Sequence, residues 1–256
     1  MDGRLPRQAS RSALVAVALL SALVLSVGCR AVSTGRNVDG VRYFQQGQYP
    51  VAIQRFDSAL TIDPKNPDSY YNKGAVLHRT GLQTKDQNAL NQAESLYRQC
   101  LAYNPDHVDC HRGLAVLLTE TNRTGDAFTL LRNWATTSPQ NSDARVELAR
   151  LYEEYNDPRA AETYLTEALT LNSRDWRAHA ALGRLKEQGG DLNQALVNYQ
   201  RAYNLNRFQP ELGQRIASLQ SKAPAVPTVG GATMVTGATP LGSPRNAAAP
   251  RTFRTY

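Results

Sequence analysis

The residue types that could do chemistry are concentrated in one short stretch, which contains Cys100, His107, Cys110 and His111. The two cysteines flank a predicted turn between helices almost symmetrically. They could therefore form a disulfide in an oxidising compartment or remain two buried thiols. The two histidines, four residues apart, suggest a shared metal ion. However, His107 is expected at the turn and Asp109 at a helix start, where a carboxylate suits the helix dipole. We predict no metal site and no cofactor.

No pattern typical of catalysis accompanies these residues. The sequence contains no Ser/His/Asp or Cys/His set at a recognisable catalytic spacing, and no glycine-rich phosphate loop that follows a strand. The adjacent carboxylates Glu153 and Glu154 are most simply interpreted as a solvated helix face. We predict that the chain is not an enzyme.

A motif recurs along the chain, in which an alanine is followed four positions later by a bulky residue and three positions further by a third, usually small residue. The leading alanines are separated by 41, 34, 34 and 34 residues. Apolar residues three and four positions apart place an apolar stripe on one face of a helix. The motifs are Ala52-Phe56-Ala59, Ala93-Tyr97-Cys100, Ala127-Leu131-Trp134, Ala161-Leu165-Ala168 and Ala195-Tyr199-Ala202.

A second helical pattern precedes each motif and contains small residues that would let two helices approach closely. They include Gly74, Ala115, Ala149 and Gly183. Prolines follow the first three motifs and stop the second helix, because the residue before a proline disfavours helical geometry. One hairpin cannot bury its stripe alone, so neighbouring hairpins must stack to complete the core.

This pattern resembles the tetratricopeptide repeat over about residues 33–207. The resemblance implies an all-α fold, a right-handed α-solenoid of about five helical hairpins. Apolar residues at helical spacing then predict a C-terminal capping helix. The expected domain covers residues 29–222, with units at about 33–66, 67–107, 108–141, 142–175 and 176–209 and the cap at 210–222.

The interval of 41 residues is seven longer than the others, and the excess falls in residues 82–92. This polar stretch predicts either a longer turn with an extended second helix or a dedicated contact loop. Cys100 occupies the small position of its repeat, which favours simple packing of a thiol.

The N-terminus has the pattern of a secretory signal, with three arginines before an uncharged, mostly apolar run from Ala13 to Val27. Residues 25–29 resemble the bacterial lipobox, whose cysteine becomes the lipidated first residue of the mature protein. Ser26 departs from the commonest pattern, which has leucine there. We predict a lipoprotein signal peptide over residues 1–28 and lipidation of Cys29. The alternatives are a cleaved signal without lipid and an uncleaved anchor.

The basic character of the chain lies mostly at its ends. The whole chain has 29 basic and 22 acidic side chains, a net charge of +7. Without the three arginines and one aspartate of residues 1–28 and the three arginines of residues 223–256, the net charge is +2. The nearly neutral body argues against nucleic-acid binding. Residues 223–256 are rich in Pro, Ala, Gly and Thr and are expected to form a disordered basic tail.

In tetratricopeptide arrays the first helix of each hairpin lines a concave groove. The resemblance therefore implies a partner-binding groove at the matching positions. These are Tyr71, Ala75, His78, Arg112, Val116, Thr119, Val146, Arg150, Glu153, Arg184 and Glu187.

The resemblance and the signal together predict a non-catalytic scaffold of the bacterial cell envelope that binds a protein or peptide partner. Lipidated Cys29 would hold it to the outer membrane or the periplasmic face of the envelope, where it would serve assembly of envelope or secretion machinery. Two alternatives remain open. One is a structural envelope protein that assembles into homo-oligomers, and the other is an adaptor for an enzyme that remodels the cell wall.

Overall fold

The computed structural model describes residues 32–222, and no strand occurs within this range. The predicted signal peptide, Cys29 and the predicted basic tail lie outside the described residues. The predicted all-α helical repeat is confirmed. Helix α1 covers residues 32–45 of the described range. The later helices are α2 (Tyr49–Ile62), α3 (Pro67–Thr84), α4 (Gln87–Tyr103), α5 (Val108–Glu120), α6 (Thr124–Thr137), α7 (Ser142–Glu154), α8 (Pro158–Leu171), α9 (Trp176–Gln188), α10 (Leu192–Leu205) and α11 (Pro210–Lys222).

The described chain divides into two compact units, residues 32–117 and residues 118–222, with the boundary inside α5. In the first unit α3 packs against both α2 and α4. In the second unit each helix from α6 to α11 packs against the next. None of the helices in residues 32–222 combines the length and the apolar character that a membrane crossing requires.

Each of the five hairpins turns at a residue with positive φ that ends its first helix. In all five the following residue donates its backbone N–H to a carbonyl five positions earlier, at 2.7 to 2.9 Å. This bond satisfies a helix-end carbonyl that would otherwise lack a partner. Glycine and asparagine adopt positive φ at low cost, whereas lysine does so less readily. The five residues are Gly47, Lys85, Asn122, Asn156 and Gly190.

The seven extra residues of the 41-residue interval are absorbed into helices. Helix α3 has 18 residues and α4 has 17, whereas α5, α7 and α9 have 13 each and α2, α6, α8 and α10 have 14 each. The extended second helix is therefore confirmed. The longer turn is wrong, because only Lys85 and Asp86 separate the two helices. The Asp86 side chain accepts the N–H groups of Asn88 and Ala89 and so begins α4 directly, which leaves no contact loop.

The turns between hairpins are fixed by side chains as well as by proline. At equivalent positions four residues into the first helix, a polar side chain donates to a carbonyl of the preceding turn. The bonds are Tyr70 to Pro64 at 3.0 Å, His111 to Pro105 at 2.8 Å, Arg145 to Ser138 at 3.1 Å and His179 to Ser173 at 3.1 Å. In three of the turns between hairpins, and in the turn before α11, an Asp or Asn side chain also accepts the N–H two residues later, as in Asx turns.

Glycines in the first helices admit aromatic rings from the second. A Cβ added at Gly183 would lie 2.7 Å from Cδ1 of Tyr199, and one added at Gly74 would lie 3.1 Å from Cε1 of Tyr97. Both rings are buried. The helices of these hairpins therefore approach to a distance that a larger residue would prevent.

We expect Gly183→Ala to lower the free energy of unfolding by about 1–2 kcal/mol. Overpacking against the Tyr199 ring costs about 1–3 kcal/mol, and the higher helix propensity of alanine returns up to about 1 kcal/mol. Urea unfolding of the full chain measures the change. The control is Gly125→Ala in α6, because no atom lies within 4 Å of its added Cβ. It should be neutral or slightly stabilising, and equal effects at both positions would contradict the packing argument.

Candidate partner-binding face

A row of ion pairs in the second unit joins successive first helices. Both Nε and Nη2 of Arg184 donate to the Glu153 carboxylate, at 2.6 and 2.7 Å, and join α9 to α7. Three residues after Arg184 on α9, Glu187 accepts from Nε of Arg215 at 2.8 Å, which joins α11 to α9. A further pair links Arg177 of α9 to Asp143 of α7. We call these six residues, Asp143, Glu153, Arg177, Arg184, Glu187 and Arg215, the polar ladder.

The ladder is half-buried and nearly neutral. The side chains of Glu153, Arg184 and Glu187 are 16, 23 and 19% exposed. The two-bond geometry between Arg184 and Glu153 is stronger than a single contact. Partial exposure to solvent still limits such a pair to about 1 kcal/mol. The ladder thus orients the first helices and offers charges that water and a partner can both reach.

A buried tyrosine supports the last step of the ladder. The Tyr199 hydroxyl donates to Oε2 of Glu187 at 3.0 Å, the oxygen that also accepts from Arg215. Burial raises the pKa of Tyr199 to about 12, with a further rise from Glu187 and an opposing effect from Arg215.

Three of the predicted groove residues do not reach an open surface. Ala75, His78 and Val146 are buried. His78 faces the hydroxyl of Tyr97 on α4, with 3.4 Å between Nδ1 and the oxygen, and Val146 belongs to the apolar cluster of Leu165 and its neighbours. The prediction that these three residues lie on the groove surface is therefore wrong. His78 lies against the second helix of its hairpin, Val146 lies in a cluster with residues of α8 and α9, and Ala75 is 2% exposed.

The other predicted residues are half-buried, and the charged ones form ion pairs. Tyr71, Arg112, Val116 and Thr119 are intermediate in exposure. In the second unit Glu153, Arg184 and Glu187 belong to the ladder, and Arg150 lies beside it with Nε 3.2 Å from the buried Glu147 carboxylate. Glu153 and Arg184, which the sequence predicted as separate contact points, are therefore ion-pair partners of each other.

Comparison with known families decides the assignment. A family profile described as a TPR repeat matches residues 40–81, and one described as a tetratricopeptide repeat matches residues 85–135 and 122–185. The chain belongs to the tetratricopeptide repeat family. Tetratricopeptide repeat proteins bind protein or peptide partners, and the fold is that of a protein-binding scaffold.

Two solved structures support the fold of this tetratricopeptide repeat protein. TTC0263, a thermophilic TPR protein of Thermus thermophilus, is 22% identical with a TM-score of 0.56, over 74% of this chain and 99% of that chain. Human IFIT1, solved as a dimer with m7Gppp-AAAA, is 16% identical with a TM-score of 0.50, over 68% of this chain and 42% of that chain. A third structure, Pseudomonas aeruginosa pilF, is 20% identical with a TM-score of 0.49, over 76 and 91%. None of the curated proteins compared with the sequence matches it.

The second unit of the tetratricopeptide repeat protein also contains an aromatic cluster that the sequence did not predict. The Phe128 and Tyr152 rings lie 4.8 Å apart, and Tyr152 stacks on Tyr164 at 5.4 Å. The Arg132 guanidinium lies 5.3 Å from the Phe128 ring centre and donates to the Tyr152 hydroxyl at 2.6 Å. The members come from α6, α7 and α8. Their spacing in sequence matches no single helix face, so only the packing of three helices assembles them.

The first unit joins Cys100 and Cys110 in a disulfide, with Cα atoms 6.4 Å apart. Of the two alternatives open from the sequence, the structure contains this one. The two histidines do not share a site, because Nε2 of His107 contacts Asp68 and Nε2 of His111 contacts the Pro105 carbonyl.

We expect the protein to lose stability at alkaline pH partly through Tyr199. Its folded pKa of about 12 exceeds the unfolded value of about 10. The stabilisation is therefore complete below pH ~10 and is lost as pH rises through 12. Urea unfolding between pH 8 and 12 should show a smaller alkaline loss for Tyr199→Phe than for the wild type. An unchanged loss in the variant would contradict this prediction.

Proposed function

We propose that this tetratricopeptide repeat protein is a lipid-anchored, non-catalytic scaffold of the bacterial cell envelope that holds a partner polypeptide on the polar ladder. The observation that carries the proposal is the ladder itself. It places paired, half-exposed charges of both signs on the first helices of consecutive hairpins.

The geometry of the ladder suits an extended polypeptide. Its pairs recur from α7 to α9 and from α9 to α11, so a bound segment meets a charged pair at each step. A carboxylate or cation of the partner can add to a pair or exchange with one member. Charge complementarity of this kind fixes the orientation and the choice of partner more than it raises affinity. Such a partner fits a component of envelope or secretion machinery under assembly.

The N-terminal sequence supports the membrane part of the proposal. The apolar run that ends at Gly28 and Cys29 fits a lipoprotein signal, and a lipidated cysteine with two or more acyl chains is held stably at a membrane. The disulfide between Cys100 and Cys110 fits an oxidising compartment outside the cytoplasm. Both features agree with the outer membrane or the periplasmic face as the location.

The anchor is tested by metabolic labelling with an alkyne fatty acid in a bacterial host. The wild-type protein should carry the label and fractionate with membranes, and Cys29→Ala should lose both properties. Cys100→Ala provides a control for loss of a cysteine and should keep the label. An unlabelled wild-type protein of signal-cleaved size would contradict lipidation.

The binding face is tested with a photoreactive amino acid at Gln188. This exposed residue is four positions after Arg184 and so lies on the same helix face. Irradiation in cells should give a discrete crosslinked product. The exposed Thr166 of α8 is the control position and should give none.

A charge exchange then separates binding from folding. The double variant Glu153→Arg, Arg184→Glu restores an ion pair in the opposite order, so the thermal midpoint should stay close to that of the wild type. The crosslink from Gln188 should fall about tenfold or more, because the partner meets reversed charges. An undiminished crosslink would contradict the ladder as the binding face. A crosslinked product made of two copies of this chain would instead support homo-oligomeric assembly.

A further inference from the structure

Three potential metal ligands converge at the start of α5 in the first unit. A ring nitrogen of His107 and the Sγ atoms of Cys100 and Cys110 all lie within 4.8 Å of one another. Both cysteines are fully buried, and the His107 side chain is 9% exposed. This group combines the two cysteines with one histidine, which differs from the paired histidines that the sequence suggested.

The hydrogen bonds of His107 identify the nitrogen that faces the sulfur atoms. Nδ1 accepts the backbone N–H of Cys110 at 3.2 Å, so it is unprotonated and turned toward the cysteines. Nε2 donates to Oδ1 of Asp68 at 2.9 Å. The Tyr71 ring packs beside the imidazole, with ring centres 5.8 Å apart. The imidazole is thus held in one tautomer and one orientation.

This arrangement matches the outer shell of metal sites in proteins. A histidine that binds a metal usually donates its other ring N–H to a carboxylate, which fixes the ring and raises its basicity. Asp68 is in that position on α3, 39 residues before His107. The disulfide needs no such carboxylate, and the cap of α5 needs only Nδ1. The Asp68–His107 contact joins α3 to the start of α5 and holds the imidazole beside the sulfur atoms.

We propose that Cys100, His107 and Cys110 form a zinc site when their disulfide is reduced. A dithiol reductant supplies two electrons, the S–S bond breaks and the reductant closes its own disulfide, which leaves two protein thiols. Zn²⁺ then displaces both thiol protons into solvent and takes the Nδ1 lone pair from the Cys110 N–H, whose hydrogen bond breaks. The metal bonds to the two Sγ atoms and to Nδ1, while water occupies the fourth position. Two sulfurs and one imidazole are ligands that Zn²⁺ favours, with a tetrahedral geometry.

The surroundings of Cys100 and Cys110 allow both the disulfide and the zinc-bound state. Residues 102–106, which join Cys100 to His107 in the chain, are all exposed, so a small dithiol and a metal ion can approach the site from this turn. Either the disulfide or the metal ties the end of α4 to the start of α5. In the reduced protein the metal replaces the covalent link, so the turn between the second and third hairpins stays closed.

Cobalt binding tests the site in the full chain. Cys29→Ser serves as the background, because the chain has three cysteines and this change leaves the pair alone. After reduction and removal of the reductant without oxygen, one Co²⁺ per chain should give thiolate-to-cobalt charge transfer and the d–d bands of a tetrahedral site. Zn²⁺ should bleach these bands, and the oxidised chain should show none.

Variants distinguish a site that requires the His107 imidazole from metal binding by two thiols alone. His107→Asn keeps a good helix N-cap but removes the imidazole ligand, and it should abolish stoichiometric binding at micromolar metal. Asp68→Asn should lower the zinc affinity about 10- to 100-fold. His179→Gln, a histidine of the second unit, should leave the affinity unchanged.

Two outcomes would overturn the proposal. One is a reduced chain with full helical circular dichroism that binds no more Co²⁺ than the variant Cys100→Ser, Cys110→Ser. The other is an unchanged zinc affinity in His107→Asn. If reduction unfolds the first unit, Zn²⁺ should restore the helical signal, and failure to restore it would also count against the site. None of these results bears on lipidation or on the polar ladder, which are tested separately.

Discussion

The apolar stripe of each helix can leave water only by packing against its neighbours, because one hairpin has no interior of its own. The leading alanine of every repeat shows this constraint. Ala52, Ala93, Ala127, Ala161 and Ala195 are all fully buried. A methyl group at that position allows a short distance between helices. Aromatic rings of the second helices then pack against glycines of the first helices, as Tyr199 does against Gly183. Turns, ion pairs and caps are then arranged around helices whose spacing is already fixed.

Much of this fold could be predicted from the sequence because small residues and apolar stripes recur at a constant interval. The turn at Lys85 could not, since lysine carries no preference for positive φ and seven extra residues obscured the register. The extra residues lengthened α3 and α4 because nothing in residues 82–92 breaks a helix, apart from the cap at Asp86. Polar composition alone was a poor indicator of a loop.

The candidate sites were less predictable because they depend on how helices rotate against one another. The partners Glu153 and Arg184 are 31 residues apart in sequence, and no local pattern pairs them. Ala75, His78 and Val146 were assigned to the groove from their repeat positions, yet all three are buried. His107 precedes the first residue of α5, so helical spacing did not relate it to His111. Its actual neighbours, the two cysteines, were evident in the sequence but were interpreted separately.

In the proposed function, stability and partner binding both depend on the side chains of the polar ladder. A scaffold whose charges were unpaired would bind any polymer of opposite sign, and its helices would lack a polar link across α7, α9 and α11. Internal pairing removes that indiscriminate attraction, because a partner must offer charges in an order that matches or replaces an existing pair. Since an exposed pair contributes only about 1 kcal/mol to folding, one can be exchanged without unfolding the hairpins. Buried alanines hold the helices, which leaves the ladder available for recognition.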